Sequence, residues 1–156
     1  MTGQIKALIV TIALAGCASA LGKAVVRNNC NFDVTLWPVG HNIAPKNTLQ
    51  PGQHYSEQFS NSRAAAIGRA LKITRDPDGL FTGKPQTDFA YNLDGGKIWY
   101  DLSDVNGDPF AGHKLVVVSA NAGCPSIVWP NGIPQGNDIK NCPDVNADVI
   151  LTLCAK

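Results

Sequence analysis

The chain has 156 residues, with 13 Lys and Arg against 12 Asp and Glu, so its formal charge is only +1. Charged residues make up just 16% of it, and 15 Gly and 10 Pro punctuate it, which excludes a coiled coil and favours short strands joined by turns. The balanced charge supplies no general positive field for nucleic acid, and 44% apolar content is enough for one core, which argues against wholesale disorder.

Residues 1–20 place Lys6 before an apolar run from Ala7 to Ala15 and close on Ala18-Ser19-Ala20. That is the pattern of a secretory signal peptide, cleaved after Ala20, and the run is too short to span a membrane. Leu14-Ala15-Gly16-Cys17 also fits a bacterial lipobox, in which Cys17 would carry lipid. Cleavage after Ala20 removes Lys6 and Cys17, leaving acids and bases balanced and four cysteines: Cys30, Cys124, Cys142 and Cys154. An even count in a small secreted domain predicts disulfides, with three possible connectivities. The preferred pairing is Cys30–Cys154, joining the first strand to the last, with Cys124–Cys142 stapling a loop. No close Cys-x-x-Cys spacing points to zinc.

After the signal, short apolar runs recur between turn residues. Strands are expected at Ala24–Arg27, Phe32–Trp37, Gln53–Phe59, Ile67–Thr74, Asp88–Leu93, Lys97–Leu102, Lys114–Ser119, Ser126–Trp129 and Asp148–Leu153. Phe89, Tyr91 and Leu93 alternate onto one face, as do Ile98, Tyr100 and Leu102, and Asp94-Gly95-Gly96 between them predicts a hairpin. Residues 61–70 read as strand or irregular chain. Residues 120–144 form a long polar stretch rich in Gly and Pro, which calls for either a function or a cross-link. Strands without helical connections predict an all-β antiparallel sandwich, one domain over residues 21–156.

Three stretches resemble a known family. Val25-Val26-Arg27-Asn28-Asn29-Cys30 with Phe32–Pro38 is similar to the opening strands of thaumatin-like proteins, and Leu49-Gln50-Pro51-Gly52 to the turn that follows. Ile98-Trp99-Tyr100-Asp101-Leu102-Ser103-Asp104-Val105-Asn106-Gly107 resembles their F-Y-D-V-S-x-V-D-G segment. With the continuation Asp108-Pro109-Phe110-Ala111-Gly112 and the small size, the chain looks most like the fungal yeast-phase-specific (Bys-type) antigenic thaumatin-like proteins. The resemblance implies a secreted β-sandwich with its first and last cysteines paired. It also implies a fungal secretory origin, which favours signal cleavage over the lipobox, and an extracellular or cell-wall location.

Large thaumatin-like proteins carry an acidic cleft associated with β-glucan binding and, in some members, weak glucan hydrolysis. Hydrolysis needs one protonated carboxyl and a second acting as base or nucleophile. Seven acids lie between Asp76 and Asp108 against Lys84 and Lys97, so an acidic segment persists in a neutral chain. Asp76, Asp78, Asp94, Asp104 and Asp108 read first as turn residues. Asp101, on a strand inside the matching motif, is the strongest sugar-hydroxyl acceptor, and Trp99 should point away from the core side of its strand. The expected ligand surface is therefore Asp88, Asp101, Asp104, Asp108 and Trp99, with Asp101 and Asp88 the pair for any hydrolysis. The second acid of the family motif is Asn106 here, and Glu57, the only glutamate, is tied to no partner by any motif; a non-catalytic binder is thus favoured over a weak endo-β-1,3-glucanase.

Asp104 to Asp108 begins like a calcium loop, but Pro109 and Leu115 fill the positions that need Gly and a carboxylate, so no metal site is expected. His41, His54 and His113 lack ligand spacing, and no cofactor is implied. Arg63, Arg69, Lys72 and Arg75 form a basic run expected to face the acidic segment as a solvated strand face. The expected partners are cell-wall polysaccharide or a host protein reached through residues 120–144, with no nucleic acid, no membrane after signal cleavage, and a monomeric state.

Overall fold

A computed structural model describes residues 20–60 and 68–156. The signal segment, the lipobox at Cys17 and most of residues 61–70 lie outside the described residues. Two sheets are formed. The first contains β1 (Lys23–Asn28), β4 (His54–Gln58), β8 (Leu115–Ser119), β9 (Ile127–Trp129) and β11 (Val149–Leu153), in the order β4-β1-β11-β8-β9. The second contains β2 (Val34–Val39), β3 (Asn47–Leu49), β5 (Arg69–Thr74), β6 (Gln86–Asp94), β7 (Lys97–Val105) and β10 (Ile139–Cys142), in the order β10-β7-β6-β5-β2-β3. Pairing is antiparallel except between β1 and β11, the first and last strands, which run parallel with Val26 opposite Leu151. A parallel pair needs a long connection, and here nearly the whole domain provides it.

The expected hairpin forms, with Asp94 opposite Lys97 and both turn glycines at positive φ. Its alternation sends Phe89, Tyr91, Ile98, Tyr100 and Leu102 into the space between the sheets, where Val26, Leu36, Leu71, Ile73, Val117, Trp129 and Leu151 join them in one core. Each fully buried side chain of this kind contributes roughly 1.5–3 kcal/mol. Both preferred disulfides are present, Cys30–Cys154 and Cys124–Cys142. The first sits beside buried Asn28, whose amide nitrogen donates to the Phe32 and Leu49 carbonyls while its oxygen accepts from the Cys30 amide. One side chain thus ties the opening strand to the two turns that follow it. The second anchors β10 to the loop before β9, and the Tyr100 hydroxyl donates to the Pro125 carbonyl in the same loop.

Four expectations need correction. β3 and β10 lie in stretches read as turn and loop, because both are short, polar strands at sheet edges without alternation. Residues 120–144 therefore hold β10 as well as β9, the strand expected at Ser126–Trp129. A short helix, α1 (Gly79–Thr82), follows β5; at four residues it is too brief to show a helical period. β7 runs on to Val105, past the expected end at Leu102, so Asp104 is a strand residue and not a turn residue. Among the described residues no helix is long and apolar enough to cross a membrane.

Candidate functional site

The outer face of the six-stranded sheet is set by the residues that alternate away from the core. Register places Ala70, Ala90, Asp101 and Ile139 in one row across β5, β6, β7 and β10, and Asn92, Trp99 and Asn141 in the next. A further row runs from Trp37 through Lys72 and Asp88 to Ser103. Because two neighbouring strands carry alanine in the first row, the face dips there into a depression of about 280 Å3. Ala70 and Ala90 form its floor, with Trp99, Ile139, Asn92 and Asp101 around them, and its exposed lining is almost entirely apolar. Trp99 is 37% exposed and Ile139 61% exposed, so both present apolar surface to solvent.

The candidate acids separate into two groups. Asp101 and Asp88 share the outer face as diagonal neighbours on β7 and β6. Burial raises the Asp101 carboxyl above the usual aspartate range, against a backbone hydrogen bond from Leu102, and the charges of Asp138 and Asp88 push it the same way. Asp88 is nearly buried; its Oδ2 accepts from Lys72 Nζ at 2.6 Å, and its Oδ1 has no hydrogen-bond partner among the described residues. Asp104 alternates to the inner side, where Thr87 donates its hydroxyl to Oδ1. Burial pushes the Asp104 carboxyl up to about 7, with Asp108 adding to the rise and the Thr87 bond opposing it. Asp108 lies exposed in the turn beyond β7. The five predicted residues therefore do not form one patch: Asp88, Asp101 and Trp99 share a face, and Asp104 and Asp108 form a separate pair.

The basic run also divides. Lys72 meets the acidic segment through Asp88, but in a largely buried pair and not as a solvated face. Arg75 lies over the Phe32 ring at 4.0 Å from its centroid. Arg69 turns to the inner side and makes a two-pronged bond to Glu57, at 2.8 and 2.5 Å. Glu57 also accepts from the Tyr91 hydroxyl at 2.5 Å and the Tyr55 hydroxyl at 2.9 Å. Burial alone would raise the Glu57 carboxyl, but the bonds from Arg69, Tyr91 and Tyr55 outweigh it and hold it below the usual glutamate range. Burial and the same carboxylate push Tyr55 up to about 12 and Tyr91 higher still. Glu57 on β4 thus joins the five-stranded sheet to β5 and β6 of the other.

Sequence reasoning missed Asn92, Ile139, Ala70 and Ala90 in the depression, and it missed the partners of Glu57. The alanines carried a readable signal, since small residues opposite one another on paired strands leave a hollow. The Glu57 cluster had little, because Arg69 and Tyr91 are 12 and 34 residues from the glutamate and only Tyr55 is near it in sequence. Among the described residues, no group of three or more His, Cys, Asp or Glu stands together in a way that could hold a metal.

The chain is a two-sheet sandwich whose first and last strands pair and are joined by a disulfide, and this fold is thaumatin-like. The thaumatin-like xylanase inhibitor TLXI shares this fold, with a TM-score of 0.57 at 10% identity over 85% of this chain and 99% of that one. The chain belongs to the family described as Blastomyces yeast-phase-specific protein (Bys1), which it matches over residues 11–155. It is 32% identical to an antigenic thaumatin-like protein of Arthroderma benhamiae, over 96% of this chain and 78% of the relative. It is also similar to the protein elicitor MoHrip2 from Magnaporthe oryzae, with a TM-score of 0.70 and 26% identity, over 86% of this chain and 99% of the other.

Proposed function

We propose that the protein is secreted, non-catalytic, and binds cell-wall β-glucan through the depression on the outer face of the six-stranded sheet. The observation that carries this reading is an exposed indole, Trp99, beside an almost wholly apolar hollow over two alanines, with Asp101 and Asn92 at its border. A sugar ring needs that combination: an aromatic surface for its apolar C–H face and a few placed polar groups for its hydroxyls. The Asp101 carboxylate can accept from a sugar hydroxyl.

The same geometry favours binding over hydrolysis. Asp88, the second carboxyl on this face, is committed to Lys72 and nearly buried, while Asp104 faces the other side of the strand. Retention on insoluble β-1,3-glucan and chitin tests the proposal, with Ala90→Leu as the blocked control. Wild type should be retained on the glucan and Ala90→Leu released, both with unchanged circular dichroism. Equal retention of the two, or no retention of either, overturns the reading. A second reading, contact with a host protein, draws support from the elicitor relative and from Ile133, exposed between β9 and β10. Ile133→Asp should abolish elicitor activity and leave glucan retention intact if that contact operates; full activity would remove it.

A further inference from the structure

Two Asn-Gly steps form turns beyond strands, Asn106-Gly107 after β7 and Asn131-Gly132 after β9. In such a step the glycine nitrogen can attack the asparagine side-chain carbonyl carbon, since the glycine has no side chain to stand in the way. The attack needs that nitrogen free and the peptide unit able to rotate, and here the two steps differ. At the second step the unit is bonded through both its polar groups. The Gly132 N–H donates to the Trp129 carbonyl at 3.2 Å, and the Asn131 carbonyl accepts from the Gly112 N–H at 2.8 Å. Gly132 is also buried, packed so closely that a Cβ on it would lie 2.0 Å from the Phe110 carbonyl oxygen and 2.5 Å from that of His113. Rotating this peptide breaks two hydrogen bonds and drives the chain into the Phe110 backbone.

The first step has neither restraint. Asn106, Gly107 and Asp108 are exposed, and among the described residues the peptide unit from the Asn106 carbonyl to the Gly107 N–H makes no backbone hydrogen bond. Asn106 has φ +60° and Gly107 φ +112°, so the chain has left the β ladder, which ends at Val105 opposite Gln86. The packing around Gly107 is one-sided, since a Cβ there would meet only the Pro85 ring, at 3.3 Å. We propose that Asn106 is a spontaneous deamidation site of the folded protein and that the fold protects Asn131. The Gly107 nitrogen loses its proton to water and bonds to Asn106 Cγ, and the side-chain amide leaves as ammonia. The five-membered succinimide so formed is opened by water at either carbonyl. One opening gives an aspartyl residue. The other gives an isoaspartyl residue, whose main chain is one carbon longer. One water is consumed and one ammonia released, with no change of oxidation state.

Either product places a new carboxylate between Asp104 and Asp108 in the chain, and no ion pair among the described residues involves either aspartate. The protein thereby becomes more acidic with age at one turn. The test is prolonged incubation of the folded protein in mildly alkaline buffer, followed by peptide mapping with mass spectrometry and by enzymatic methylation of isoaspartyl groups. A parallel sample is reduced and unfolded in guanidinium. In the folded sample, acid and isoaspartyl should accumulate at position 106 at least about tenfold faster than at 131, where opening the turn forfeits buried hydrogen bonds. In the unfolded sample the two positions should react at similar rates, because both are then plain Asn-Gly steps. Equal rates in the folded protein, or faster reaction at 131, overturn the proposal. So does a folded protein that stays intact at 106 while the unfolded chain reacts there, since the turn would then be protected as well. A tenfold difference that persists after unfolding also overturns it, because local sequence and not the fold would be making the choice.

Discussion

Replacing Glu57 with Gln should destabilise the fold by about 3 kcal/mol, and the figure follows from the bonds it breaks. Glu57 accepts four hydrogen bonds, two of them from Arg69, and the paired side chains keep only 13% and 23% of their exposure. Removing one member of a buried ion pair costs roughly 3–5 kcal/mol, and partial solvation of Arg69 places this case at the lower end. For a domain of this size the loss corresponds to a fall of roughly 10 °C in Tm. Thermal and urea unfolding of Glu57→Gln, Arg69→Met and the double variant measure it, and the double variant should cost clearly less than the sum of the singles. The pH dependence gives an independent check. A carboxyl held below its unfolded value contributes stability that is complete above about pH 4.3 and lost as pH falls through its folded value. The gap between wild type and Glu57→Gln should therefore close as pH falls below about 4. A gap under about 1 kcal/mol at pH 7, or one that stays constant down to pH 3, refutes the reasoning.

Asp104 titrates in the opposite sense. Its folded value, raised to about 7, means the protonated form is favoured by folding, so its contribution is complete below about pH 4 and lost as pH rises to about 7. Asp104→Asn should remove that decline and leave the protein more stable than wild type at neutral pH, as read by Tm from pH 4 to 8; an unchanged slope contradicts it. Cys30–Cys154 closes 124 residues and Cys124–Cys142 closes 18, so paired Cys→Ala variants should lose about 5 and about 3 kcal/mol in urea unfolding on the loop-entropy account. The reverse order would exclude loop closure as the dominant effect. Gly132 has φ +66°, and a Cβ there would lie 2.0 Å from the Phe110 carbonyl oxygen. Gly132→Ala should therefore cost more than about 2 kcal/mol or prevent folding, and a variant with wild-type Tm would show the turn to be adaptable.

Much of the fold was legible because local physics and the global answer agree. Alternation in residues 88–102 and the Asp94-Gly95-Gly96 turn name the central hairpin, and of the three pairings that the even cysteine count allows, the preferred one is formed. What escaped detection depends on partners distant in sequence. Asn47–Leu49 and Ile139–Cys142 are strands only because a neighbouring edge pairs with them. Asp104 looked like a turn residue until β7 continued to Val105 and carried it inward. In the site, Trp99 and Asp101 could be placed from alternation alone, since both lie on one strong strand. Ile139 could not, because the register of β10 against β7 decides what stands beside Trp99.

The account stands or falls on whether glucan lies against Trp99. Titration with soluble β-1,3-glucan, following the difference in tryptophan emission between wild type and Trp99→Phe, isolates the one indole that the site exposes among Trp37, Trp99 and Trp129. The account predicts a saturable change in that difference signal which matches the isotherm of a parallel calorimetric titration. Calorimetric binding with the Trp99 signal unmoved, or no binding at all, would contradict it.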